Sequence, residues 1–441
     1  MERRKFVAAM AGTATGAAQT RSELAVDGGK PVREKMLAPK YFGPELFDQE
    51  ERRELAEVVE TKRPFRWYSS GHGQPVKVLT FEKEYAARMQ TRYALAVTSG
   101  SAALITALAA LQIGPGDEVI LPAWTWYSCY NAIVLHGALP VFAEIDESLN
   151  IDPADLESKI TPHTKAVMPV HIEGNACDMD RILAVARKHG LKVVEDCAQS
   201  LGASYKGKPV GSFGDINIFS LQICKAITTG DGGVVTTSNP ALFERASRFH
   251  DLGLLRPPHE QMIGKGATGM FPSSQFRMNE FTGGVALAQL RKLDGVLANL
   301  RRHADRVYES IADLPGMRFR PRPDPKGDLA LGVFLMFNSK PRRDWFIAAM
   351  RAERIAARGP SGSEVLPAQP HIQHKTTLHP AWPSFTSERG KAIQYGEACC
   401  RRTIEILGRC ACLPLDPKYT REDVDDMIAA IRKVHPAVSR S

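Results

Sequence analysis

Between residues 94 and 196, short apolar runs alternate with longer stretches in which apolar positions recur every three or four residues. Ala94–Thr98, Glu118–Leu121, Leu139–Ala143, Ala166–Val170 and Lys192–Glu195 have the character of strands. Between them Ser101–Leu111, Tyr127–His136, Asp155–Ile160 and Met179–His189 have the spacing of helices, and Gly114-Pro-Gly-Asp117 that of a turn. Strands that are apolar on both sides, separated by helices, predict an α/β domain with a mainly parallel sheet covered on both faces. Upstream, Leu24–Val32 predicts a short strand and turn, and Asp48–Thr61 and Val76–Met89 predict helices. A loop rich in glycine and aromatics, Phe65–Gly73, lies between those helices. Downstream, a long helix is expected over Glu280–Arg302, then a Pro-rich stretch from Pro315 to Pro325. A smaller α+β lobe follows and closes with a helix over Arg421–Val434.

A chain of 441 residues exceeds what one simple core accommodates, so two lobes are expected. The expected division is a leader or tail over 1–21, a large ligand-binding domain over 22–290 and a small C-terminal domain over 291–441. The formal net charge is +8, but both signs are mixed along the chain and no basic run carries interleaved aromatics. This argues against a nucleic-acid partner and for a surface with some attraction for anionic ligands. The eight cysteines form no CxxC pair, so no zinc site is expected, and Cys399, Cys400, Cys410 and Cys412 read as small buried thiols. Arg3 and Arg4, followed by Phe6 and a mild apolar run from Ala8 to Ala18, have the form of a twin-arginine export leader or of a basic tail on a cytoplasmic protein. That run is too short to span a membrane.

Lys225 carries the most chemical information. The apolar run Ile216–Ser220 leads into it, and the turn Gly230-Asp-Gly-Gly233 and a second apolar run follow it. A lysine at the edge of a packed core loses water, which lowers its pKa and makes its amine nucleophilic. Asp196 ends the preceding strand-like run, which sets an acid and an amine on adjacent strand ends. Those are the two groups that a pyridoxal phosphate site needs, one for the ring nitrogen and one for the aldehyde. Thr98-Ser-Gly-Ser101-Ala102 joins a strand to a helix, where free N–H groups and the positive helix end suit a phosphate. Trp124 and Trp126, after the next strand, offer a flat ring for stacking or for the core.

The order Ser-Gly-Ser101-Ala102-Ala-Leu, Gly-Pro-Gly-Asp-Glu-Val-Ile, Glu-Asp196-Cys-Ala-Gln199, Gly-Asp-Ile-Asn-Ile-Phe-Ser220, Lys225 and Gly-Asp-Gly-Gly resembles the StrS/DegT-type sugar aminotransferases, from about Leu24 to Ile431. These are fold type I pyridoxal phosphate enzymes. The resemblance implies that Lys225 joins the cofactor as a Schiff base and shuttles the proton. It further implies that Asp196 binds the ring nitrogen and Gln199 the ring oxygen, that Ser101, Ala102 and Ser220 bind the phosphate, and that Trp126 stacks on the ring. Tyr68 and His171 become candidate substrate residues, and His171 reads equally well as a hydrogen-bonded histidine at a strand end. The implied reaction moves an amino group from glutamate or glutamine to a keto-sugar, often nucleotide-linked, or a keto-cyclitol, within a homodimer. A sugar dehydratase on the same scaffold carries histidine where this chain has Lys225, and a non-catalytic regulator would not need the Lys225/Asp196 pair. Three departures stand out. Gln275-Phe-Arg replaces the family's Asn-Tyr-Arg, whose Asn reaches the neighbouring subunit's phosphate. Gly-Asp-Gly-Gly replaces Gly-Glu-Gly-Gly. Leu221, Gln222 and Cys224 replace the usual aromatic and His residues before the lysine.

Overall fold

A computed structural model describes residues 23–40, 43–44, 46–68, 76–264, 266–361 and 363–438. Arg3, Arg4 and the rest of the expected leader lie outside the described residues, as do positions 69–73 of the aromatic loop.

The centre is a seven-stranded sheet. From one edge its order is Tyr93–Val97, Gly233–Thr237, Ile216–Ser220, Lys192–Asp196, Thr164–Val167, Glu118–Pro122 and Leu139–Ala143. Only Gly233–Thr237 runs against its neighbours; the other pairings are parallel. Alternate residues sort onto two cores, as the two-residue period of a strand requires. Ala94 and Ala96 join Ile120, Val193 and Phe219 on one face, while Tyr93, Leu95 and Val97 join Val119, Val194 and Ile218 on the other. Helices cover both faces, so the near-continuous apolar character of the strands has its expected cause.

Helix Glu280–Ile311 extends nine residues past the expected Arg302. Ala304, Val307, Tyr308 and Ile311 continue the helical apolar stripe and are buried, and no Pro interrupts before 315. Position 290, the expected domain boundary, lies inside this continuous helix. Near its start Gly283 and Gly284 lie against Val78 and Glu54, and near its end Arg306 pairs with Asp425. A two-stranded antiparallel sheet, Gly332–Met336 with Cys410–Pro414, packs near it with helices Lys340–Ala352 and Arg421–Val438. The strand expected within Leu24–Val32 does not form. Ala25–Asp27 is a 3₁₀ turn closed by Gly28, and the N–H groups of Ala25 and Val32 donate to the Glu353 carboxylate rather than to a strand partner. All eight cysteines are free thiols, and among the described residues no helix is long and apolar enough to cross a membrane.

One buried ion pair ties the start of the aromatic loop to the sheet. Arg66 and Glu82 are 0% and 2% exposed and form two 2.8 Å bonds. Glu82 also accepts from the Ala96 N–H at 2.7 Å, and Arg66 donates to the Ala96 carbonyl at 3.2 Å. Burial alone would raise the Glu82 carboxyl; Arg66, His259 and the Ala96 N–H outweigh it and hold the carboxyl at about 2. Glu82→Gln leaves the guanidinium uncompensated and is expected to cost about 3–5 kcal/mol in denaturant unfolding. Because the folded pKa is depressed, the pair's contribution is fully present above the ordinary value of 4.5 and is lost as pH falls towards 2. The deficit of the variant should therefore be constant near neutrality and shrink in acid.

Candidate active site

Strands ending at Val97, Pro122, Asp196 and Ser220 point their C-terminal ends to one side of the sheet, the side where open α/β sheets form their ligand crevice. The segments that follow converge there. Ser99, Gly100, Ser101, Trp126, Asp196, Gln199, Ser220 and Lys225 are among the residues lining a cavity of about 300 Å³, at the lower end of small-molecule sites.

Asp196 is 2% exposed at the floor. Its carboxylate accepts from the Ala198 N–H at 2.9 Å and from the Cys129 thiol at 3.2 Å. Burial pushes its pKa up, and the Ala198 N–H, the Cys129 thiol and the nearby Lys225 charge pull against that without cancelling it. Burial, with the same carboxylate, pushes the Cys129 thiol far up, so Cys129 is a neutral donor. Lys225 sits in the turn after Ser220, with its backbone N–H on the Gln222 carbonyl at 2.9 Å. Loss of water lowers its ammonium pKa, and Asp196, Cys224 and Glu173 oppose the shift. The acid and the amine expected on adjacent strand ends thus meet across one cavity.

The opposite end is the start of helix Gly100–Ala110. Ser99 caps it, its hydroxyl accepting from the Ala102 N–H at 3.0 Å. Ala102, expected at the phosphate, is buried, its N–H is taken by that cap, and it does not line the cavity. The Gly100 and Ser101 N–H groups, in the first turn, have no acceptor among the described residues and are the donors on offer. Gly100 is needed for close approach, since a Cβ there would stand 2.8 Å from the Ser220 Cβ. Gly233 is needed likewise, because its Cβ would meet the Ser99 carbonyl oxygen at 2.3 Å. The Ser101 hydroxyl bonds Ser128 at 2.6 Å, and the Ser220 hydroxyl accepts from the Gln222 N–H at 3.3 Å.

Trp126 precedes helix Tyr127–Leu135, is 50% exposed and lines the cavity. Trp124 is instead in the core, paired through the short ladder Trp124–Thr125 with Glu364–Val365. That ladder brings Ser363 to Gln199, whose amide nitrogen donates to the Ser363 hydroxyl at 2.9 Å while its oxygen accepts from the Glu173 N–H at 3.1 Å. Three candidates stand elsewhere. His171 is fully buried; its Nε2 donates to Glu195 at 2.9 Å and its Nδ1 accepts from the Cys177 N–H at 2.9 Å. It lines neither this cavity nor its neighbour. Tyr68 lies edge-on to Phe65 and Gln275 is exposed on the segment before the long helix; neither lines either of these two cavities.

A second cavity, about 530 Å³, shares Ala198, Gln199, Cys224 and Lys225 with the first. Glu173, Arg358 and Ser361 line its far side. Sequence reasoning named none of these three, although Glu173 stands two positions after His171.

The residues around Asp196 fit pyridoxal phosphate on the structure's own terms. A buried carboxylate with a raised pKa takes a protonated ring nitrogen, and open N–H groups at a helix start take a phosphate. Comparison with known proteins agrees. The family model for the DegT/DnrJ/EryC1/StrS aminotransferases matches residues 48–432. The spore coat polysaccharide biosynthesis protein SpsC of Bacillus subtilis is 35% identical over 394 residues, covering 88% of this chain and 95% of that protein. GDP-perosamine synthase of Caulobacter vibrioides is 34% identical, covering 81% and 90%. Among solved structures, 3-amino-5-hydroxybenzoic acid synthase aligns with a TM-score of 0.74 at 26% identity, over 92% of this chain and all of that one. S. venezuelae DesV aligns with 0.71 at 28%, over 87% and 94%. With that match and that site, the chain belongs to the DegT/DnrJ/EryC1/StrS aminotransferase family and is a pyridoxal phosphate-dependent aminotransferase.

Proposed function

We propose that this aminotransferase moves an amino group from glutamate or glutamine to the ring carbonyl of a keto-sugar, nucleotide-linked or free, or of a keto-cyclitol. The observation that carries the reading is the buried Asp196 carboxylate facing Lys225 across one cavity. The relatives named for polysaccharide and perosamine synthesis support a sugar acceptor. Lysine at 225, rather than histidine, speaks for amino transfer over dehydration.

Bound in this cavity, pyridoxal phosphate supplies an aldehyde carbon to carry the amino group and a ring to accept electrons from the substrate. Asp196 would hold the proton on the ring nitrogen. Gly100 and Ser101, through their N–H groups, and Ser220, through its hydroxyl, would hold the phosphate. Trp126 would cover one face of the ring, and Gln199 would donate to its oxygen. Lys225 would hold the cofactor covalently and, once released, its Nζ would take the proton from the donor's α-carbon and return it on the acceptor side. The cofactor is assigned to the unit of residues 22–290, and the unit of residues 291–441 supplies part of the wall of the second cavity, Arg358 and Ser361 included. We assign a homodimer in which the exposed Gln275 reaches the neighbouring subunit's phosphate.

A screen of donors and acceptors, followed through the visible absorbance of the cofactor, tests this. Glutamate or glutamine should discharge the spectrum and a keto-sugar or keto-cyclitol should restore it, in a species that sediments as a dimer. Borohydride fixation and peptide mapping should place the label on Lys225. A label elsewhere, or full turnover by a monomer, would count against the assignment concerned.

A further inference from the structure

Lys225 stands between two cavities, and the cofactor accounts for one. Amino transfer brings two unlike molecules to the same lysine: an amino acid, which carries a carboxylate, and a sugar ketone, whose ring carries no charge. The second cavity has the groups to tell them apart. Among the described residues lining it the cations are Lys225 and Arg358, and Lys225 is committed to the cofactor. Arg358 Nη1 meets Glu173 Oε1 at 3.3 Å, and the same oxygen accepts from the Ser361 N–H at 3.3 Å. Both contacts are longer than the 2.7–2.9 Å usual for charge-assisted bonds. The other acid of the wall, Asp416, caps its own turn through the Lys418 N–H at 2.9 Å.

The backbone holds Glu173 in place at some cost. Its φ of 49° and ψ of 44° are left-handed, a region that a β-carbon disfavours, and such strain is retained where the surroundings fix it. Here the Gln199 amide oxygen fixes the Glu173 N–H at 3.1 Å. Glu173 is 8% exposed at its side chain and Arg358 32%, so the arginine is the partner that reaches the open cavity.

We propose that Arg358 binds the carboxylate of the amino donor, and that Glu173 is the carboxylate the donor displaces. When the amino acid enters, its carboxylate replaces that of Glu173 on the guanidinium. When the sugar enters, Glu173 returns, so that no uncompensated cation faces a neutral ring. One carboxylate is exchanged for another, and Arg358 is paired with an anion in both halves of the reaction. This rests on the aminotransferase reading of the cavity at Lys225.

The test uses the holoenzyme and glutarate, a dicarboxylate without an amino group, titrated by calorimetry, with uncharged glutaramide as control. Glutarate should bind and glutaramide should not. Arg358→Gln should weaken glutarate by about 10- to 100-fold, and raise the glutamate or glutamine concentration that half-discharges the cofactor by a similar factor, while borohydride still labels Lys225. Glu173→Gln, which removes the competing carboxylate, should tighten glutarate several-fold. A purely structural pair would weaken binding in both variants, and that result overturns the exchange. So does Arg358→Gln binding glutarate as the wild type does, with Lys225 labelled. Absence of the label in the wild type would instead overturn the aminotransferase reading, and the exchange with it.

Discussion

Lys225→Ala is expected to lower turnover by at least about 10³-fold, the loss of both a covalent anchor and a positioned general base. The cavity should still take up the cofactor. The groups assigned to its other ends are Asp196, the Gly100 and Ser101 N–H groups and the Ser220 hydroxyl, and all belong to other elements. The turn carrying residue 225 is held by backbone, its N–H bonding the Gln222 carbonyl at 2.9 Å, so removal of the side chain leaves the path of the chain intact. Borohydride labelling should vanish while cofactor content after dialysis persists. Addition of glutamate or glutamine should no longer discharge the spectrum on the time scale of a wild-type turnover. Wild-type rates in this variant would end the assignment of the proton shuttle to Lys225.

The parts of the site that are legible in the sequence are those set by local chain. Asp196 and Ser220 end apolar runs, and the sheet places those runs side by side in parallel. Their juxtaposition with Lys225 follows from strand order alone. Helix Met179–His189 is legible to the residue because Asp178 caps its start and Gly190, left-handed at φ 68°, ends it. The free N–H groups of Gly100 and Ser101 lie nearer the helix start than the expected Ala102. Ser99 takes the Ala102 N–H for its own cap, a side-chain choice that the spacing of Ser, Gly and Ala does not reveal. Glu173 and Arg358 are out of reach for another reason. They are 185 positions apart, and Arg358 arrives only because its backbone pairs with Cys412 beside the two-stranded sheet. No periodicity within either segment records that meeting. His171 has the address of a site residue, a histidine at a strand end, and its two nitrogens bond Glu195 and the Cys177 N–H, partners that the local sequence does not announce.

Asp196→Asn separates activity from stability. The buried carboxylate can hold a proton on a ring nitrogen, and an amide of the same shape cannot. Breaking a buried charge pair of this kind costs about 3–5 kcal/mol, which at 1.36 kcal/mol per tenfold corresponds to roughly 10²–10⁴-fold in kcat/KM. The protein without cofactor should behave otherwise. Burial raises the Asp196 pKa above its ordinary 3.8, so folding favours the protonated form. A raised carboxyl pKa means that stability falls as pH rises from 3.8 through the folded value, and the full cost is present at neutral pH. An asparagine side chain in its place carries no such cost and keeps an oxygen for the Ala198 N–H, which now lies 2.9 Å from Asp196 Oδ1. The cofactor-free variant should therefore melt no lower than the wild type at pH 7, and the gain in melting temperature on adding pyridoxal phosphate should shrink, because that gain measures affinity for the folded state. Loss of the Asp196 charge also removes the foremost attraction holding the Lys225 ammonium pKa up, so the amine should be labelled by electrophiles at lower pH than in the wild type. A variant that melts lower without cofactor, yet gains as much from it as the wild type does, would make Asp196 a structural acid and not the partner of the ring.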